Sequence, residues 1–170
     1  MKLGVCVPYR NRELHLNEFI PKVGKYLKEQ GIDFQMYFCH QVDDKLFNRG
    51  ATKNIAAKHA FEEGCDYVVW HDIDMIPEED GGADYTFPKG KPRHIATKIS
   101  QMDYKLKYHE YFGGAVLFSK EHVEKTNGYS NEYWDWGMED DDLFWRCNKE
   151  GLTENTFLDV ELKDFKYYSF

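Results

Sequence analysis

Apolar positions along the chain alternate between short runs and helical stripes. Leu3-Gly4-Val5-Cys6-Val7 is a short apolar run ended by Pro8, the pattern of a buried strand. Leu16, Phe19, Ile20, Val23 and Leu27 then recur at helical spacing, and Gly31 follows as a stop. Phe34 to Cys39 reads as a second strand. Asn54 to Glu62 reads as a helix with Ile55, Ala56, His59 and Ala60 on one face, closed by Gly64. Tyr67-Val68-Val69-Trp70 is a third strand, apolar on both faces. Acids, Gly81-Gly82 and prolines mark Ile76 to Pro92 as loop. Strand character returns at His94 to Ile99 and at Gly114 to Ser119. Helices are predicted at Lys120 to Thr126, ended by Asn127-Gly128, and at Glu139 to Asn148, with Gly151 its stop. The last twenty residues show no clear pattern. This ordering predicts an α/β fold, with a mostly parallel sheet covered by helices on both faces.

Composition narrows the function more than the fold. The 170 residues suit one domain, 1–170, and 16% aromatic content argues against disorder. The formal charge of -8 repels phosphate backbones, so no nucleic-acid partner is expected. Cys6, Cys39, Cys65 and Cys147 form no CxxC pair and read as reduced core residues. No apolar stretch approaches the ~18 residues of an integral membrane segment, and no signal-peptide pattern opens the chain. The simplest expected compartment is the cytoplasm, although a catalytic fragment separated from an anchor would look the same.

Four stretches carry candidate chemistry. His71-Asp72-Ile73-Asp74 follows the third strand, where open α/β sheets bind ligands. Two carboxylates there can hold a hard divalent cation that bridges diphosphate oxygens, or can merely cap the next turn. Trp134-Asp135-Trp136-Gly137-Met138 leads into Glu139-Asp140-Asp141-Asp142. Four successive acids suit a helix N-terminus, and the neighbouring tryptophans suit sugar stacking. Arg10-Asn11-Arg12 and Phe47-Asn48-Arg49-Gly50 offer guanidinium groups and a ring for a nucleotide, or ordinary surface arginines. Tyr111-Phe112-Gly113-Gly114 enters a strand, for tight packing or for a ligand contact.

Taken in order, these stretches resemble the β-1,4-galactosyltransferase family. They are Pro8-Tyr9-Arg10-Asn11-Arg12 with His15-Leu16, Phe47-Asn48-Arg49, His71-Asp72-Ile73-Asp74 with Pro77, Tyr111-Phe112-Gly113-Gly114, and Asn127-Gly128 leading to Tyr133-Trp134 and the acidic run. Gln41-Val42-Asp43 and Ser119-Lys120-Glu121-His122 look nearest the xylosylprotein galactosyltransferase branch. The resemblance runs from about Val7 to Gly151. It implies a GT-A fold and an inverting glycosyltransferase that moves a hexose, galactose above all, from a UDP-sugar donor to a saccharide acceptor. It further implies a manganese cofactor, with magnesium as the alternative. Carried over, Pro8, Tyr9, Arg10, Arg12, Phe47 and Arg49 would line the uridine and diphosphate site. Asp72 and Ile73 would meet the nucleotide sugar, and Asp74 would ligate the metal. Tyr111 would set the preference for galactose, and Trp136 would cover the donor on a mobile loop. Gly137, Met138, Glu139 and Asp141 would face the acceptor, with Asp140 the base.

This chemistry is coherent in itself, since an acceptor hydroxyl is a poor nucleophile until a carboxylate takes its proton. The chain also departs from the family pattern. Asp135 stands where members usually carry Gly, and Met138 where they carry Gly or Arg. The family supplies further metal ligands downstream, including a histidine, and no histidine follows His122 here. The expectation is a metal held by Asp74, diphosphate oxygens and water, or a catalytic domain that is C-terminally short. The alternative function is a catalytically weak nucleotide-sugar or glycan-binding module of the same fold. A nucleotidyltransferase ranks last, because no Gly-rich phosphate loop is present.

Overall fold

The computed structural model describes residues 1–106, 108 and 110–153, together with the backbone of 166–169. Strand β1 (Lys2–Tyr9) pairs in parallel with β2 (Asp33–His40) on one side and β3 (Tyr67–His71) on the other. Strand β7 (Ala115–Ser119) runs antiparallel to β3, and the short β5 (Arg93–His94) is antiparallel to β7. The order is β2-β1-β3-β7-β5, so β7 alone opposes the common direction. A smaller sheet joins β4 (Met75–Pro77), β8 (Lys166–Ser169) and β6 (Lys98–Ile99) in the order β4-β8-β6.

Strand alternation divides the core between the two faces of the large sheet. Leu3, Val5, Val7 and Val69 point toward helix α1 (Glu13–Glu29), whose Phe19, Val23 and Leu27 are fully buried against them. Each of these large side chains contributes about 1.5–3 kcal/mol on burial. Cys6, Val68 and Trp70 point to the opposite face, toward helix α2 (Arg49–Glu62) and helix α4 (Glu139–Lys149). Gly4 allows α2 to come close, because a β-carbon there would stand 2.6 Å from that of Ala60. Helix α3 (Lys120–Thr126) follows β7, capped by Ser119, whose side chain accepts a hydrogen bond from the His122 backbone.

The structure corrects the sequence reading in five places, the first being that strand β4 (Met75–Pro77) enters the stretch read as loop. Strand β1 continues through Pro8, which is tolerated because pairing with β3 has already ended at Cys6. Helix α2 begins at Arg49 rather than Asn54, since the Asn48 side chain accepts from Ala51 N at 2.8 Å and caps it. Ile20 and Ile55 lie outside the buried stripes, 44% and 49% exposed. The predicted strand from His94 to Ile99 is broken. Ile95 and Ala96 both aim their N–H groups at Ala115 O, a bulge that ends β5 and sends Lys98–Ile99 into the smaller sheet. The cysteine reading holds: Cys6, Cys65 and Cys147 are buried and all four are free.

Candidate active site

Strands β1 and β3 end at the same edge of the sheet, and β7, running the other way, begins there. The segments beyond these ends surround a cleft of about 330 Å³. Pro8, Arg10, Asn11 and Arg12 line it from the end of β1, and Phe47 and Arg49 from the start of α2. Asp72, Ile73 and Asp74 line it from the end of β3. Of the expected donor residues, three lie outside this lining. Tyr9 is turned by strand alternation into the α1-side core, edge-on to His40 at 4.9 Å. Tyr111 stands beside the cleft, 5.6 Å from the rings of both His94 and Tyr108. Trp136 is 76% exposed on its loop.

Arg10 anchors the loop between β2 and α2. Its Nη2 donates to the carbonyls of Asp43 and Lys45 at 2.9 and 2.6 Å, and its guanidinium stands 5.9 Å from the Phe47 ring centre. Burial and then the neighbouring charge of Asp72 push the Asp74 carboxyl above its ordinary value, against Arg12 and His15. Behind Asp72, the buried His71 donates from Nδ1 to the Asp72 carbonyl at 2.9 Å and accepts from Tyr85 OH at 2.8 Å. Burial holds its imidazole neutral, with a pKa of about 4.

The acidic run meets this cleft through α2. Lys53 is 1% exposed, with Nζ 3.2 Å from Asp72 Oδ1 and 3.6 Å from Asp140 Oδ1. Its ammonium also stands 4.6 Å from the Tyr129 ring centre. Burial acts to lower its pKa, but Asp72, Asp140 and Glu139 outweigh that and hold it above the ordinary lysine value. Asp140 accepts from Tyr129 OH at 3.0 Å. Its pKa is raised to about 6, first by burial and then by Asp72 and Glu139, with Lys53 opposing them. Gly113 provides the space beside it, since a β-carbon there would stand 2.6 Å from Asp140 Oδ2 and 2.9 Å from Tyr111 OH.

The expected acceptor residues divide. Gly137 and Met138 lie on the exposed loop, where Met138 is 63% exposed. Asp135, Gly137 and Met138 have φ of 72°, 105° and 74°. The left-handed backbone at Asp135 accounts for the glycine usual there, and Asp is among the residues that tolerate it. Asp135 N also donates to Phe47 O at 2.8 Å, tying this loop to the start of α2 at the cleft. Asp141 accepts from Tyr108 OH at 2.6 Å. Glu139 is 3% exposed and pairs with Arg49 Nε at 2.7 Å, so it holds a cleft residue in place.

Sequence reasoning missed Lys53, Tyr129 and Tyr108. For Lys53 the signal was present, because it lies three, four and seven residues before Ala56, Ala57 and Ala60, on the helix face that is buried. Among the described residues no group of three His, Cys, Asp or Glu side chains is placed to share a metal. The donor set that exists, a half-buried Asp74 carboxylate beside Asp72, would suit a hard cation that drew further oxygen ligands from outside the protein.

Residues 1–86 match the family profile described as the N-terminal region of glycosyl transferase group 7, and residues 93–168 that described as the N-terminal domain of galactosyltransferase. The chain belongs to the β-1,4-galactosyltransferase family. It is 38% identical over 143 residues to β-1,4-galactosyltransferase 4 of Cricetulus griseus, covering 84% of this chain and 41% of that protein. It is 35% identical over 152 residues to β-1,4-galactosyltransferase 3 of Homo sapiens, covering 89% of this chain and 38% of that one. The chain thus spans about two-fifths of the length of these curated relatives. The crystal structure of the catalytic domain of Drosophila β1,4-galactosyltransferase 7 with xylobiose superposes with a TM-score of 0.84 at 32% identity. That match covers 98% of this chain and 69% of the other. A mutant of the same Drosophila enzyme, complexed with manganese, UDP-Gal and xylobiose, matches equally. The fold of this family member is therefore GT-A, with helices on both faces of the mixed sheet.

Proposed function

We propose that this chain is a metal-dependent inverting galactosyltransferase that moves galactose from UDP-galactose to a saccharide hydroxyl. The observation that carries this reading is the meeting of two distant acidic motifs. Asp72, in the cleft lining, and Asp140, at the start of α4, stand on either side of one buried ammonium. A nucleotide on the arginine-lined side of the cleft would thus present its sugar toward Asp140. The Drosophila relative's complex with UDP-Gal and xylobiose supports the same choice of donor and acceptor class.

In this reading, Arg10, Arg12 and Arg49 offset the charge of the diphosphate, and Phe47 lies against the uracil or ribose. Asp74 would hold the divalent cation, manganese by preference, which when bound neutralises charge on the departing UDP. Asp140 takes the proton of the acceptor hydroxyl as that oxygen attacks the anomeric carbon. A carboxyl near pH 6 is largely ionised at neutrality and still basic enough to accept this proton. One catalytic carboxylate suffices, because the nucleotide leaves without being protonated. Tyr129 OH, donating to Asp140 Oδ1, leaves Oδ2 to take the acceptor proton.

The test is Asp140→Asn. With UDP-galactose, manganese and a panel of β-xylosides, glucosides and N-acetylglucosaminides, the wild type releases UDP. The variant loses transfer on the order of a hundredfold or more while binding UDP as before. Full activity in the variant would move the base elsewhere. A wild type that binds UDP-galactose yet releases UDP with no acceptor would favour the binding-module reading.

A further inference from the structure

We propose that Lys53 is a positioning residue for transfer: its buried ammonium clamps Asp72 and Asp140 together beneath the cleft and so fixes where the base stands relative to the donor. The inference rests on the assignment of Asp140 as base.

Lysine is expensive to bury and survives in a core only when its charge is met. Here it is met twice, by carboxylates from two elements far apart in sequence. Each carboxylate keeps about a fifth of its surface open, 23% for Asp72 and 22% for Asp140, whereas the lysine has 1%. The cation is therefore behind the site, where an incoming ligand can reach the acids but not the ammonium. Lys53 also lies one helical turn after Arg49, which holds Glu139 at 2.7 Å. Helix α2 thus grips successive residues of α4, Glu139 and Asp140, by two successive rungs of one face. Without the lysine charge, two carboxylates would face each other across an apolar gap, and one would move or take up a proton.

The groups facing Asp140 define what its removal does. They are Lys53 from α2, Asp72 from the end of β3, Glu139 from α4, the hydroxyls of Tyr129 and Tyr111, and, more remotely, Arg49 and Tyr108. Lys53 is the principal group that favours the ionised carboxylate, since burial, Asp72 and Glu139 all oppose it.

The experiment compares wild type with Lys53→Met and Lys53→Gln, the second keeping a neutral donor in case the first does not fold. Turnover of UDP-galactose with manganese and a β-xyloside is measured against pH. Loss of the charge is expected to leave donor KM within about threefold and to move the acid limb of kcat upward by about one to three pH units. Activity therefore falls between about threefold and somewhat over a hundredfold near pH 6.5, and recovers to about half or more of the wild-type rate near pH 9. An equal loss at every pH, or no loss, would overturn the role. In parallel, the Asp140 carboxyl is titrated by ¹³C NMR, its resonance assigned by its disappearance in Asp140→Asn. An upward midpoint in the lysine variants, with a wild type that turns over no sugar, would sink the transferase reading and keep the clamp. An unchanged midpoint in an active enzyme would sink the clamp alone.

Discussion

Gly113→Ala tests the geometry of the site with a single methyl group. Gly113 is not in the left-handed region, so alanine fits its backbone, and the effect must come from space. The new carbon would stand 2.6 Å from Asp140 Oδ2, against an ordinary contact of 3.4 Å, and 2.9 Å from Tyr111 OH. The carboxylate must retreat by about 0.8 Å, the difference between these contact distances. Asp140 has little freedom to absorb this, held by Tyr129 OH at 3.0 Å and facing Lys53 at 3.6 Å. A misplacement of this size at a reacting group costs on the order of a hundredfold in rate, and overpacking costs about 1–3 kcal/mol in stability. Gly113 does not line the cleft proposed for the nucleotide, so UDP affinity is expected to hold. Steady-state transfer from UDP-galactose, calorimetric UDP titration and a thermal melt together read the three effects. A variant that melts and turns over like the wild type would refute the placement of Asp140 against Gly113.

Other outcomes follow from the same contacts. Because burial raises the Asp140 carboxyl to about 6 and the base must be ionised, kcat is expected to rise with pH through about 6 and level off above 7. A limb near 4 in the pH–rate profile would contradict this. Glu139→Gln is expected to lower stability by about 1–3 kcal/mol in denaturant unfolding and to weaken UDP binding, because it releases Arg49 in a nearly dry setting. A raised acceptor KM with unchanged stability and UDP affinity would instead return Glu139 to the acceptor. Asp74→Asn is expected to abolish the gain in UDP affinity that manganese confers, with metal-free binding retained, as read by calorimetry. An equal manganese effect in the variant would place the ion elsewhere.

What the sequence disclosed follows from which contacts are local. Phe19, Val23 and Leu27 announce their helix because one face packs on one sheet, and the pattern needs no knowledge of what covers it. The motifs at Asp72, Asp74 and Arg12 were legible because parallel strands place their ends at one edge. The start of α2 was hidden by Phe47, which looks like strand end, although Asn48 is a good cap. The reversal of β7 depends on the path between elements, which periodicity does not record. Among four adjacent acids, nothing local tells Glu139, sealed against Arg49, from Asp141, half-open beside Tyr108. Lys53 stood in plain view among alanines and was passed over, because a lysine on an apolar face has meaning only once its distant partners are known.

The sheet also leaves one rim of the molecule chemically idle. Since β1 and β3 run toward the cleft, the turns that precede β2 and β3 lie at the far rim, and the reversed β7 delivers α3 there as well. At Gly31 and Gly64 a side chain would meet nothing within 4 Å, and both glycines already hold the left-handed bends that close their helices. A side chain at either glycine would strain its bend, so fluorophores, purification handles or surface tethers belong on the exposed residues beside them, such as Lys28 and Glu62, a full strand length from the cleft, giving an immobilised or labelled protein with its working mouth facing outward.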